Sequence, residues 1–501
     1  MEGKILIILS LSLLIVFLPS ECYQSAIINN ICSKLPYPEE CKLLLTQSPE
    51  NNNIYLLNHT LDVFLQVSQT QASKGENYTS SLGSKCRLRK EKRAWKDCVQ
   101  LYHESLHLLN KITSSPDGDA SDKQIWLSAA LTNLETCKNG FQDLDATGNV
   151  YSLLSNNASH MISNCLALNK VPSFKRKQVN GFPLWVNRKL LQGSVIPNVV
   201  VAQDGSGRFR TVSQAVAAAP GKSRFVIYVK AGVYSEHVHI QADNVMLVGD
   251  GVGKTIITGS RSVGTGSTTF NSATVGITGD KFYARGITFR NTAGPRNHQA
   301  VALRCGSDLS AFYQCGFEGY QDTLYTISQR QFYKNCYIYG TVDFIFGDAA
   351  VVIQTSNIYA RDPPAKTNVI TAQGRSDPNE NTGISIQKCN ILADRGLSSS
   401  AKTYLGRPWK QYSRTVFMQS NLGSLIHPAG WLPWSGNFAL NTLYYGEYAN
   451  TGPGASTSHR VKWKGYHVIT SPNVASLFTA GNLIGGDEWL PATGVPFTSG
   501  L

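Results

Sequence analysis

The sequence contains no Gly-x-Ser-x-Gly turn, so the nucleophile elbow of a serine hydrolase has no support. Metal-site spacing is also missing: His237, His239, His298, His427, His459 and His467 do not fall into a zinc-protease pattern, although His237 and His239 sit two apart on an expected strand. The stretch Gly249-Asp-Gly-Val-Gly253-Lys254-Thr255 approximates a phosphate loop, but that loop requires glycine at 248, where Val248 stands. No cofactor or metal is therefore expected, and no nucleic-acid motif is present. The apolar run Ile5–Leu18 is short for a bilayer crossing and ends in Pro19, Ser20, Glu21 and Cys22. It has the length of a signal-peptide core, so residues 1–22 are expected to be a cleaved secretion signal.

Acidic residues are the scarcer charge, 33 against 46 Lys and Arg, giving +13 and a pI near 9.1. About 26 of the basic and about 17 of the acidic residues follow residue 192, so the later part of the chain carries much of the excess. In a secreted protein this points to an acidic extracellular partner. Charged residues make up 16% and hydrophobic residues 42%, which suits well-filled cores, and 501 residues exceed one ordinary core. The three N-glycosylation sequons, at Asn58, Asn77 and Asn157, all lie in the first third.

Residues 23–169 read as an all-α pro-domain. Leu61, Phe64, Leu65 and Val67 mark one helical face; Val99, Leu101, Tyr102, Leu106, Leu108 and Leu109 a second; Ile125, Trp126, Ala129, Ala130, Leu131 and Leu134 a third. Short polar breaks between them predict a four-helix antiparallel bundle. Cys32 and Cys41 could close a small loop, and Cys98 and Cys137 could tie two helices together. With 11 cysteines in all, at least one thiol is left over within the chain. Residues 170–191 change texture to Pro172, Lys175, Arg176, Lys177, Gly181 and Pro183 and end in Arg188-Lys189-Leu190-Leu191, an exposed linker with a basic cleavage signal.

Residues 192–501 consist of short β-rich runs separated by glycines, with Val212 to Ala219 the main helical pattern. An imperfect repeat separates a solenoid from a sandwich or barrel. A Cys or Ser followed two residues later by an apolar residue recurs as Cys315-x-Phe317, Cys336-x-Ile338, Ser356-x-Ile358, Cys389-x-Ile391 and Ser420-x-Leu422. The first three are 21 and 20 residues apart, one turn of a right-handed parallel β-helix, with loops in the longer gaps.

The same alignment sets Cys315-Gly-Phe-Glu-Gly319-Tyr-Gln-Asp322 against Cys336-Tyr-Ile-Tyr-Gly340-Thr-Val-Asp343. Asp322 and Asp343 would then stack one rung apart, at a backbone spacing of about 4.8 Å. Two carboxyls that close do not both ionise cheaply, so one keeps its proton while the other stays anionic. Such a pair can serve acid-base and nucleophilic catalysis.

Gln299-Ala-Val-Ala-Leu-Arg304, Gly319-Tyr-Gln-Asp-Thr-Leu-Tyr325, Gly340-Thr-Val-Asp-Phe-Ile-Phe-Gly347 and Tyr404-Leu-Gly-Arg-Pro-Trp409 resemble the motifs of plant pectin methylesterases, as do Asp204-Gly-Ser-Gly207, Gly232-Val-Tyr-Ser-Glu236 and Gly430-Trp-Leu-Pro-Trp434. The resemblance covers residues 195–495, and the pro-region in front resembles a pectin methylesterase inhibitor, with its two cysteine pairings and a lone thiol at Cys165; Cys86 is additional. It implies hydrolysis of galacturonate methyl esters in methyl-esterified homogalacturonan, in the cell wall, by a monomer. Asp343 would attack the ester carbonyl, oriented by Arg407; Gln299 and Gln321 would donate to the oxyanion; Asp322 would act as acid, then base. Trp409 would stack on the sugar, with Phe270, Phe344 and Trp431 as further aromatic candidates and Thr269, or its neighbour Thr268, as a substrate contact. Arg188-Lys189 resembles the family's processing site for a subtilisin-like serine protease, and a proteinaceous pectinesterase inhibitor is an implied partner. One departure is Ser356, where the family has a cysteine to pair with Cys336; that leaves Cys336 free or able to bridge to Cys315.

Overall fold

The structure is a computed structural model and describes residues 20–47, 53–114, 119–148, 150–154, 157–169 and 196–501. Most of the expected signal segment and all of the expected processing linker, Arg188-Lys189 included, lie outside these residues. The N-terminal part comprises helices α1 (Ser20–Cys32), α2 (Pro38–Gln47), α3 (Asn53–Ser81), α4 (Arg89–Ser114), α5 (Ala120–Asp143) and α6 (Asn157–Leu168). Helices α3 to α6 pack around a common core as a four-helix bundle. Helix α4 buries Ala94, Cys98, Leu101, Tyr102, Ser105, Leu108, Leu109 and Ile112, a stripe at helical spacing. Cys32–Cys41 and Cys98–Cys137 are disulfides, and Cys86 and Cys165 are free thiols.

Helix α5 differs from α4. Asp119 caps its N-terminus through Ser121 N–H at 3.4 Å, and it buries residues on every face from Gln124 to Phe141. A helix buried all round must have neighbours on both sides. One side of α5 faces the bundle; the other lies against the C-terminal domain.

That domain is a parallel β-helix of three sheets with 11, 7 and 8 strands. The Cys/Ser repeat is its rung: Phe317 pairs with Ile338, Ile338 with Ile358, Ile358 with Ile391 and Ile391 with Leu422. The residue before each Cys or Ser in the column has positive φ, at Gln314, Asn335, Thr355, Lys388 and Gln419. One left-handed residue per rung turns the chain between sheets, and the small side chain after it tucks into the core. Cys305, Cys315, Cys336 and Cys389 are all buried and free, so no Cys315–Cys336 bridge forms. Ser356 fills its rung by hydrogen bonding instead, its Oγ accepting from Cys336 N–H at 3.0 Å.

Alternation along the seven-stranded sheet divides inside from outside. Leu303, Leu324 and Ile345 point into the β-helix core. Arg304, Tyr325 and Phe346 stack rung upon rung between them, and Tyr325 and Phe346 join the apolar cluster shared with the helical bundle.

Candidate active site

Leu324 pairs with Ile345, so Asp322 and Asp343, each two residues earlier, stack on neighbouring rungs. The Asp322 N–H donates to the Val342 carbonyl at 3.1 Å, which fixes the register of this turn. Both aspartates have positive φ, 62° and 52°, a conformation that Asp tolerates better than most residues. Both side chains are buried.

Arg407 follows the strand Lys402–Gly406, and its N–H donates to the Thr371 carbonyl at 3.0 Å. Its guanidinium reaches Asp343 as a fork, Nε to Oδ1 at 2.8 Å and Nη2 to Oδ2 at 2.5 Å. Burial pushes the Asp343 carboxyl up, and Arg407 opposes that shift. Burial also pushes Asp322 well up, and here the Asp343 and Asp143 charges add to it. Of the two, only Asp343 has the guanidinium bonded to it, so its charged form is favoured over that of Asp322, whose carboxyl is pushed up further.

These carboxyls open into a cavity of about 350 Å³ lined also by Thr269, Phe270, Gln299, Gln321, Tyr325, Phe346, Arg407, Trp409 and Trp434. The structure thus brings Asp322, Asp343, Gln299, Gln321, Thr269, Arg407 and Trp409 to one place. Thr268 does not line it; its hydroxyl donates to Asp97 of α4. Trp409 stands edge-on to Tyr325 and Phe346, with centroids 6.4 and 5.9 Å away.

Two aromatic expectations need correction. Trp431 is 1% exposed, stacked on Tyr445 at 4.1 Å and bonded through Nε1 to Glu447, so it belongs to the core. Phe344 is wholly buried inside the β-helix. Their places at the cavity are taken by Trp434, whose ring lies 4.3 Å from the Arg407 guanidinium carbon, and by Phe346. Strand parity was the available signal for Phe346, since it stacks on Tyr325; the Trp434 loop offered none.

A model of the pectinesterase family matches residues 198–487, and one of the plant invertase/pectin methylesterase inhibitor family matches residues 26–168. The chain is 57% identical to Pectinesterase 2 of Citrus sinensis over 510 aligned residues, covering 100% of both chains. The chain belongs to the pectinesterase family. It is also 56% identical to a probable pectinesterase/pectinesterase inhibitor of Arabidopsis thaliana, over 94% of each chain. Among solved structures, pectin methylesterase from carrot aligns with a TM-score of 0.61 and 61% identity, over 62% of this chain and 99% of that one. As a pectinesterase, the chain is a carboxylic-ester hydrolase acting on pectin.

The inhibitor-like region of this pectinesterase lies across the same cavity. Thr136, Asn139, Gly140, Gln142 and Asp143 of α5 form a wall of the cavity. Asp143 accepts the Thr269 N–H at 2.9 Å, Asn139 accepts from Lys410 Nζ at 3.0 Å, and Thr132 donates to Asp348 at 2.8 Å. Further along, Arg330 joins Asp122 of α5 at 2.7 Å, and Lys111 of α4 joins Asp280 at 2.6 Å.

Proposed function

We propose that the site hydrolyses galacturonate methyl esters by double displacement. The ionised Asp343 attacks the ester carbonyl, and the Gln299 and Gln321 amides stabilise the oxyanion. Collapse expels methoxide, which takes the Asp322 proton and leaves as methanol. Asp322, now a carboxylate, removes a proton from water as that water attacks the acyl-enzyme, which releases Asp343 and the free galacturonate. Thr269 and Trp409 hold the sugar. The observation that carries this reading is the unequal environment of the two stacked aspartates, one forked by Arg407 and the other not. It is tested by Asp343→Asn, which keeps the shape and removes the nucleophile; methanol release within tenfold of wild type would refute the mechanism.

The same reading makes residues 1–22 a secretion signal, places the enzyme in the cell wall, and assigns carbohydrate to the sequons of the pro-region. Asn77 and Asn157 are exposed on their helices, in keeping with that assignment. A polymer cannot enter a cleft walled by α5, so residues 23–169 form a pro-domain released from residues 192–501 by a subtilisin-like protease acting at Arg188-Lys189. A separate inhibitor protein would occupy the surface that α5 vacates. N-terminal sequencing of the secreted enzyme tests the cleavage; a single N-terminus near Cys22 would overturn it.

A further inference from the structure

Arg361 follows the strand Asn357–Ala360, on the rung after the one that carries Asp343. Its N–H donates to the Gly340 carbonyl at 2.8 Å, at the start of the turn to Asp343. The side chain reaches back one rung further, where Nη1 donates to the Gly319 carbonyl at 2.8 Å, at the start of the turn to Asp322. Its guanidinium carbon lies 5.1 Å from the ring centres of both Tyr320 and Tyr339, and Nε meets Asp394, one rung on, at 3.3 Å. A single residue thus spans both turns that present the aspartates. All of these partners belong to the β-helix, so the arrangement does not depend on the helical region.

Elsewhere in the Gly319–Asp322 turn the bonds are local or between neighbouring rungs. The Tyr320 carbonyl accepts from Thr341 N–H at 2.9 Å and from Thr323 Oγ1 at 3.1 Å, and the Gln321 carbonyl from Ala300 N–H at 3.2 Å. Glycine at 340 lets the two turns close up, since a Cβ there would stand 2.8 Å from the Tyr320 carbonyl. The Gly319 carbonyl relies instead on a charged donor 42 residues away, a stronger bond than the neutral ones around it. We propose that Arg361 is a positioning residue for ester hydrolysis: by tying the Gly319 carbonyl to the Gly340 turn, it sets where Gln321 presents its amide to the oxyanion. The proposal rests on the hydrolytic reading and deepens it. A donor stabilises developing charge only within hydrogen-bond reach, so a turn displaced by about 1 Å loses rate and not substrate affinity. With its side chain 22% exposed, Arg361 stands at the edge of the solenoid, and its replacement empties no core position.

The test is methanol release from methyl-esterified pectin by enzyme matured from the full-length precursor, read as a double-mutant cycle between Arg361 and Gln321. Arg361→Gln is expected to lower kcat about tenfold, with KM within about twofold of the parent and little change in melting temperature. In a Gln321→Ala background the same substitution should cost less than about twofold, because the amide it would misplace is gone. Arg361→Lys, which retains a donor for the Gly319 carbonyl, should fall between, and it carries the cycle if Arg361→Gln does not fold. The full loss repeated in the Gln321→Ala background, a loss read in KM instead of kcat, or an unchanged kcat in both variants would overturn the assignment. The hydrolytic reading fails separately, on the activity of Asp343→Asn, which the cycle does not involve.

Discussion

The carboxylate of Asp143, the last residue of α5, accepts the backbone N–H of Thr269 at 2.9 Å in the wall of the cavity that holds Asp322 and Asp343. It also acts electrostatically on Asp322, raising that carboxyl further. The inhibitor-like region therefore brings a third acid to a pair that is already difficult to ionise, and occupies a backbone donor that faces the cavity.

Loss of that contact should loosen the latch. Asp143→Ala in the uncleaved precursor is expected to raise residual methanol release about tenfold or more, since a hydrogen bond to a charged group contributes about 1.5–3 kcal/mol. A precursor no more active than the parent would show that Asp143 does not help hold α5 in place.

The hold of the pro-region should weaken as pH rises. Asp97 is buried, accepts from Thr268 and Asn271 and feels the charges of Arg304 and Asp143, and burial pushes its carboxyl from an ordinary 3.8 up to about 7. A group whose pKa is raised in the docked state favours docking fully below its ordinary value, and that contribution is lost as pH climbs through the raised one. Dissociation of the cleaved pro-region, followed by surface plasmon resonance, should be at least about tenfold easier at pH 8 than at pH 5. Asp97→Asn should flatten the profile; a complex that tightened with pH would contradict the sign.

The far end of the β-helix depends on a buried ion pair. Arg460 Nε meets Glu447 Oε1 at 2.8 Å with both side chains 2% exposed, and Trp431 Nε1 and Tyr466 Oη also donate to Glu447. Glu447→Ala leaves a buried guanidinium unpaired and should cost about 3–5 kcal/mol, read as a fall in denaturant midpoint. Little change would mean that solvent reaches Arg460.

The two tryptophans of Gly430-Trp-Leu-Pro-Trp434 should separate cleanly. Trp431→Ala empties a core position and is expected to lower stability by about 3–5 kcal/mol. Trp434→Ala, on a side chain 37% exposed beside Arg407, should raise KM for pectin with little change in melting temperature. The reverse pattern would return Trp431 to the cleft.

Much of the architecture was legible because a solenoid repeats its environment. Each rung needs a left-handed turn residue, a small side chain and an apolar plug, so the spacing from Cys315 to Ser420 carried the register without any long-range information. The two pro-region disulfides and the helical stripe of α4 were equally local. Trp431 misled because a shared motif names the residues of a loop and not the direction of their side chains.

From sequence alone came the rung period, and with it the stacking of Asp322 on Asp343, because parallel in-register pairing turns a chain interval into a spatial neighbour. The resemblance set Arg407 beside Asp343; only the tertiary structure decided that its guanidinium, 64 residues away in the chain, reaches that carboxyl as a fork, and that α5 walls the cavity. Those outcomes depend on loop paths and on the fit of two finished surfaces, which no periodicity within either half encodes.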